Sequence, residues 1–328
     1  MVSVSRIADR ITVTNYSDEL PHGYTRASID HLIGSLQAAR KYVPTEFSYD
    51  DAGSVYFDQF VDSPEYYLPK KEVEIFRTHN DELAGLTGNC AIYEVGAGSS
   101  KKVKILLEAY DRRYGAVQFN PIDINAAIMI EGARHYLQTL PNVSVNCLAG
   151  AYSDVFAARF TGAGRKLMLF VGSSVSQEEN DDLLASIRQQ LDEGDFFLIC
   201  FDLQKHPDIL RAAYQNHAGA MCSLHVLDHL NATFAGDFDP ARFAFEVVFN
   251  PDHGGCETHL RSTIDQVVTL RTLDLSFSLQ AGESVRTGVQ RKFTVQQMAE
   301  RLARLGFAEV RTFLDGQGWY AAMLLAAA

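Results

Sequence analysis

"YEVGAGSSKK", residues 93–102, decides how the fold is read. An apolar run and an acid lead into two glycines one residue apart, then two hydroxyls and two lysines. That order predicts a strand, a tight turn and a helix starting near Ser99. Gly96 lets the chain turn sharply, and Gly98 lacks the Cβ that would hold a ligand away from backbone N–H groups. A dinucleotide fingerprint asks for a third glycine where Lys101 stands. A nucleoside sulfonium has no pyrophosphate and needs only the close turn, with an acid at the end of the next strand for its ribose hydroxyls. Asp123, in "NPIDIN", occupies that place. Strand context, Asp123 and the chain's closing antiparallel hairpin together favour S-adenosylmethionine (SAM) over a nicotinamide cofactor.

Outward from the turn the text alternates. "AIYEV", "AVQFNPID" (116–123), "VSVNCLAG" (143–150), "KLMLFVG" (166–172) and "DFFLICFD" (195–202) read as strands, with helical stretches between them. Apolar strands with helical crossovers predict a parallel sheet covered on both faces. The ending differs. Thr294 caps a helix that Gly306 closes, and "AEVRTFL" and "GWYAAMLLA" follow, joined by "DGQG". So short a connection makes a hairpin, which is antiparallel. The fold class is therefore α/β: a class I methyltransferase-like sheet with an antiparallel C-terminal hairpin. The helical, tyrosine-rich start and the insert after the fifth strand have another character. The expected division is 70–202 with 291–328 as a SAM-binding domain, and 1–69 with 203–290 as a discontinuous α+β lid that binds substrate.

The bulk numbers exclude some classes. With 328 residues, 47% of them hydrophobic, the chain can bury a large core. Its net charge of −12, without a basic block, speaks against nucleic acid. Five scattered cysteines, never in a C-x-x-C pair, read as reduced thiols. No apolar run reaches the ~18 residues of a membrane span, and no secretory signal opens the chain. A cytoplasmic protein working on a small molecule, as monomer or homodimer, is expected. His225 and His229 stand four apart beside Asp228, but Asp228 points elsewhere on a helix, so no metal site is expected. Asp202 and Lys205 read as a surface pair.

The sequence resembles the histidine-specific SAM-dependent methyltransferases of ergothioneine biosynthesis and their relatives. The carrying stretches are "FSYDDAGSVYFDQFVDSPEYYLPKKEVEIF" (47–76), "YEVGAGSSKKVKILL" (93–107), "NPIDIN" (120–125), "LFVGSSVS" (169–176), "GDFFLICFDLQKHPDILRAAY" (194–214), "GDFD" (236–239) and "GESVRTGVQRKFT" (282–294). The resemblance implies that Gly96, Gly98, Ser99 and Lys102 line the donor and that Asp123 holds its ribose. It puts Ala151 and Tyr152 beside the adenine, where the family carries an acid and an aromatic. Gly172 and Ser173 match the strand edge under the methyl group. S-adenosylhomocysteine is the implied product.

For the acceptor, the resemblance implies that Tyr49, Tyr66 and Tyr214 gather round an amino acid's α-amino and carboxylate groups. Gln177 stands where the family has an asparagine. Tyr49 and Tyr66 are the candidate catalytic residues, able to face a growing onium charge. Two positions depart from the family: Gly288 and Gln290 replace a glutamate and a serine that face the imidazole of histidine. An imidazole N–H left unpaired costs about 1–3 kcal/mol. The neutral pocket therefore points first to the sulfur of L-methionine, which needs no base. N-methylation of a histidine-type α-amine is the alternative, and a non-catalytic SAM-binding scaffold is a reading of another class.

Overall fold

The structure, a computed structural model, describes residues 2–16, 24–48, 50–160, 164–172, 174–177 and 180–328. At its centre is a sheet of nine strands. In chain order these are β1 (Ser3–Ala8), β2 (Ile11–Asn15), β3 (Cys90–Val95), β4 (Val117–Asp123), β5 (Val143–Ala149), β6 (Arg165–Phe170) and β7 (Phe196–Asp202). Strands β13 (Phe307–Leu314) and β14 (Tyr320–Ala327) complete it. The order across the sheet is β1-β2-β5-β4-β3-β6-β7-β14-β13. Strands β2 to β7 run parallel, and β14 lies antiparallel to both β7 and β13. The five expected parallel strands and the terminal hairpin are all present.

Period-two alternation sorts the strands' side chains to two faces. Ile92, Phe119, Leu167 and Leu198 pack on one face under α3 (Leu68–Thr87), α4 (Lys104–Tyr114) and α5 (Ala126–Tyr136). Tyr93, Ile122, Met168 and Phe197 pack on the other, under α6 (Tyr152–Ala157), α7 (Asp181–Gln189) and α10 (Val295–Ala303). Thr294 and Gln297 close a capping box at the start of α10. The sheet's direction of growth reverses at β3, with β4 on one side and β6 on the other. Ligands of such sheets bind outside the strands' carboxyl ends at that reversal.

A third core lies apart from the sheet. Leu32 and Leu36 of α1 (Arg26–Gln37), with Phe47, pack against Val226, Leu227 and Leu230 of α9 (His217–Phe234). The same core takes in Leu260 and Val285 from a three-stranded antiparallel sheet of β8 (Phe243–Asn250), β9 (Gly255–Ser262) and β12 (Ser284–Gln290). Leu270 and Leu275 come from the small pair β10 (Gln266–Leu270) and β11 (Leu275–Leu279). The continuous run from Cys256 to Thr272 thus holds two strands, broken after Ser262. Between core and sheet lie α2 (Asp51–Val61) and α8 (Pro207–Tyr214).

Two expectations change here. Residues 3–15, expected within the lid, form β1 and β2, which extend the sheet beside β5. Ile11 and Val13 alternate with threonines and bury on the sheet, a pattern too short to announce its parallel partner. The helix expected from Ser99 starts at Lys104. Ser100 adopts a left-handed φ of 52°, which a right-handed helix does not continue, and its hydroxyl donates to Glu94 at 2.6 Å.

Candidate active site

Two connected cavities open at the carboxyl edge of the sheet. The larger, about 760 Å³, is lined by Gly96, Gly98, Ser99, Lys102, Asp123, Ala151, Tyr152 and Gly172. Every described residue expected to meet the donor therefore faces one space. Ser173 lies outside the described residues. Gly96 turns with φ 68°, and a Cβ on it would sit 2.7 Å from the Tyr152 hydroxyl. Gly98, φ 51°, has nothing within 4 Å of where its Cβ would be, so its backbone borders open space. Asp123 accepts from the backbone N–H of Gly98 and of Asn125, each at 2.9 Å. Burial nonetheless raises its carboxyl above the ordinary range, against those backbone donors.

Beneath this cavity lies a polar hub that the sequence reading did not identify. Lys102 pairs with Glu72 of α3, and the other Glu72 oxygen accepts from the Gly172 N–H at 2.7 Å and the Tyr320 hydroxyl at 3.0 Å. One buried carboxylate thus ties α3 to the turn after β3, the end of β6 and the start of β14. Lys102 spends its charge here rather than in solvent. Glu94 is enclosed, and burial pushes its carboxyl up to about 8.

The smaller cavity, about 90 Å³, is lined by Tyr66, Gln177, Tyr214, Gly288 and Gln290. Tyr66 and Gln177 also line the larger one, so they stand at the junction. Tyr49 lies outside the described residues. Tyr66 is 2% exposed, with its ring 4.2 Å from Phe60 and 5.5 Å from Tyr214. The far end holds hydroxyls: Thr287 is 3.1 Å from Ser223 and 3.2 Å from Thr258. The Gln290 Oε1 is buried without a hydrogen-bond partner. A Cβ at Gly288 would sit 2.8 Å from the Thr258 hydroxyl. No carboxylate or ammonium lines this cavity among the described residues.

Behind Tyr214 the chain buries charge. Lys292 donates to the Tyr214 hydroxyl at 2.8 Å and lies 3.0 Å from Asp202 Oδ2. Lys205 donates to Asp202 Oδ1 at 2.6 Å, and Tyr67 donates to Oδ2 at 2.7 Å. Asp202 and Lys205 were expected at the surface, but their side chains are 1% and 6% exposed. The interval of three residues carries no sign of depth; Tyr67, Lys292 and Trp319 close round the pair. His225 and His229 turn to Asp50, at 2.7 and 2.9 Å, rather than to Asp228. That carboxylate also caps α2, accepting from Gly53 N–H at 2.6 Å.

The parallel sheet, its antiparallel tail and the glycine turn facing a pocket with Asp123 define a class I methyltransferase architecture. The model of the family "Histidine-specific methyltransferase, SAM-dependent" matches residues 28–327. The histidine N-alpha-methyltransferase of Mycobacterium tuberculosis is 30% identical over 97% of this chain and 99% of its own length. The enzyme of the same name from Mycolicibacterium smegmatis is 29% identical over 86% and 89%. Among solved structures, a SAM-dependent methyltransferase from Clostridium acetobutylicum aligns with TM-score 0.40 and 10% identity, over 78% of this chain and 90% of that one. The chain belongs to the histidine-specific SAM-dependent methyltransferase family. It is an enzyme, and its methyl donor is SAM.

Proposed function

We propose that this enzyme methylates the α-amino group of a free amino acid, with histidine as the first candidate. The observation that carries the reading is the junction: Tyr66 and Gln177 line both the donor cavity and the acceptor cavity. A small zwitterion seated between them would present its nitrogen to the donor side. Bound SAM supplies an electrophilic methyl group on a sulfonium, displaced in line by the acceptor's lone pair. The protein's share of the work is alignment and exclusion of water.

An amine must arrive without its proton. At the junction the amine would face the positive sulfonium of bound SAM, and a like charge close by lowers an ammonium's pKa. The neutral amine is then the favoured bound form. Tyr66 faces the place where positive charge grows on nitrogen, and Asp123 with the Gly96–Gly98 turn holds the nucleoside.

This reading sets methionine sulfur aside as first choice. The expectation of methionine rests on an imidazole N–H left unpaired where the carboxylate is missing. Gln290 Oε1 is an acceptor without a partner, and Ser223, Thr258 and Thr287 line the same cavity as Gln290. A neutral imidazole has partners there. The named relatives are N-methyltransferases, which supports the same choice.

The test is mass spectrometry of products from purified protein, SAM and a panel of single amino acids. A methyl group located on the α-nitrogen supports the proposal. A sulfonium product from methionine, with no N-methylated product from any amino acid, refutes it.

A further inference from the structure

The wall of the donor cavity holds more negative than positive charge. Glu72, Glu94 and Asp123 line it with Lys102, which pairs with Glu72. Glu94 and Asp123 have no ion-pair partner among the described residues. Glu94 accepts from the Ser100 hydroxyl at 2.6 Å, and Asp123 from the Gly98 and Asn125 N–H groups. The other charged residues on the lining are Glu46, Asp58, Asp62, Lys70 and Lys101, which lie towards solvent and add no net positive charge.

Glu94 is the most enclosed of the unpaired carboxyls, 3% exposed. Charged and titratable groups face it from several elements. α3 brings Glu72, β4 brings Asp123, α5 brings Tyr136, β7 brings Cys200, and the turn after β3 brings Lys102. Burial holds the Tyr136 phenol and the Cys200 thiol above their ordinary ranges, so both are neutral. Lys102 favours the Glu94 carboxylate, but its charge is already taken by Glu72. Burial first, then Glu72 and Asp123, keep the Glu94 carboxyl raised to about 8. A carboxyl so placed keeps its proton near neutrality until a cation arrives.

The donor brings that cation. SAM carries a sulfonium, and S-adenosylhomocysteine has a neutral thioether in its place; the nucleoside and amino-acid ends are the same. A negative wall separates the two by charge alone, and most strongly when Glu94 is ionised.

We propose that Glu94 is a specificity-determining residue for donor over product: it gives up its proton to solvent when SAM binds, and its carboxylate then offsets the sulfonium's charge. Glu94 recovers a proton from solvent once methyl transfer has left a thioether in the cavity. The product is thus held without the charge pairing that held the donor. The inference concerns the donor cavity and is independent of which acceptor the enzyme takes.

The test is calorimetry of SAM and of S-adenosylhomocysteine with the wild type and with Glu94→Gln, between about pH 6 and 9. The readout is the ratio of the two dissociation constants. The ligands' own amino groups titrate alike with both proteins and cancel in the comparison. Relative to Glu94→Gln, the wild type's preference for SAM should grow at least tenfold across that range. A tenfold change corresponds to one pH unit by which SAM lowers the Glu94 pKa further than S-adenosylhomocysteine does. Near pH 7.5, binding enthalpies in buffers of different ionisation enthalpy should show SAM releasing more protons from the wild type than from Glu94→Gln. Ser100→Ala is the second variant, and it removes the hydroxyl that favours the carboxylate. It should move the rise in preference to higher pH. The proposal is overturned if Glu94→Gln keeps the wild type's preference at every pH, or weakens both ligands equally, as a purely structural role would. It is also overturned if Ser100→Ala leaves the rise where it was.

Discussion

The backbone N–H of Gly98 donates to Oδ2 of Asp123 at 2.9 Å, joining the turn after β3 to the last residue of β4. Asn125 N–H holds the other oxygen at 2.9 Å, so the carboxylate is fixed before any ligand arrives. Each oxygen keeps lone pairs for ribose hydroxyls. Asp123→Ala should weaken SAM binding by about 1–3 kcal/mol, the loss of charge-assisted hydrogen bonds. Isothermal calorimetry measures it. Unchanged affinity would mean that the ribose is held elsewhere.

Glu94 should make stability depend on pH. Its carboxyl is raised from an ordinary 4.5 to about 8, chiefly by burial. Between those values the folded chain keeps a proton that the unfolded chain has lost. Stability from this group is therefore complete below 4.5 and declines by about 1.4 kcal/mol per pH unit as pH rises, levelling off above about 8. Glu94→Gln should remove that slope. Urea titrations of both proteins between pH 5 and 9 decide it, and parallel curves would contradict the account.

Gly96→Ala should damage the donor turn. Its φ of 68° costs an L-residue about 1–2 kcal/mol, and the new methyl would press on the Tyr152 hydroxyl. A lowered melting temperature together with weaker SAM binding is expected. Gly164→Ala serves as the comparison: it also has a positive φ, 110°, but lines neither cavity and has no neighbour within 4 Å. It should lose stability without a matching loss of SAM affinity.

Gln290 should read the acceptor's side chain. Gln290→Met removes the buried, unpartnered oxygen while keeping similar volume. For histidine, KM should rise by an amount equivalent to about 1–3 kcal/mol, the cost of leaving a buried imidazole N–H unpaired. Acceptors with aliphatic side chains should be affected less. Steady-state kinetics on histidine and an aliphatic amino acid separate these outcomes. Equal effects on both would place Gln290 away from the side chain.

The donor half was legible because its signals are local. "YEVGAG" fits a turn that only glycines make easily, and Asp123 ends the next apolar run; both face the same cavity. Lys102 shows where local reading stops. Its neighbours in sequence suggest either solvent or ligand, but its partner is Glu72, thirty residues earlier on α3. Residues 3–15 fail for a related reason, since a five-residue strand with three buried positions does not say which sheet edge it will join. Tyr66, Tyr214, Gly288 and Gln290 were nominated by resemblance. Their convergence depends on the α2–α3 connection, α8 and β12 meeting in space.

By itself, the sequence determined the strand order's raw material, the glycine turn, the acid beyond it and the antiparallel ending. These follow from hydrophobic periodicity and backbone sterics, which act over a few residues. The tertiary structure alone decided that Asp202 lies buried between two lysines, that Glu72 anchors the donor floor, and that Gln290 keeps an oxygen unused. Burial and charge pairing are sums over neighbours brought together from distant parts of the chain, so no short window of residues can state them.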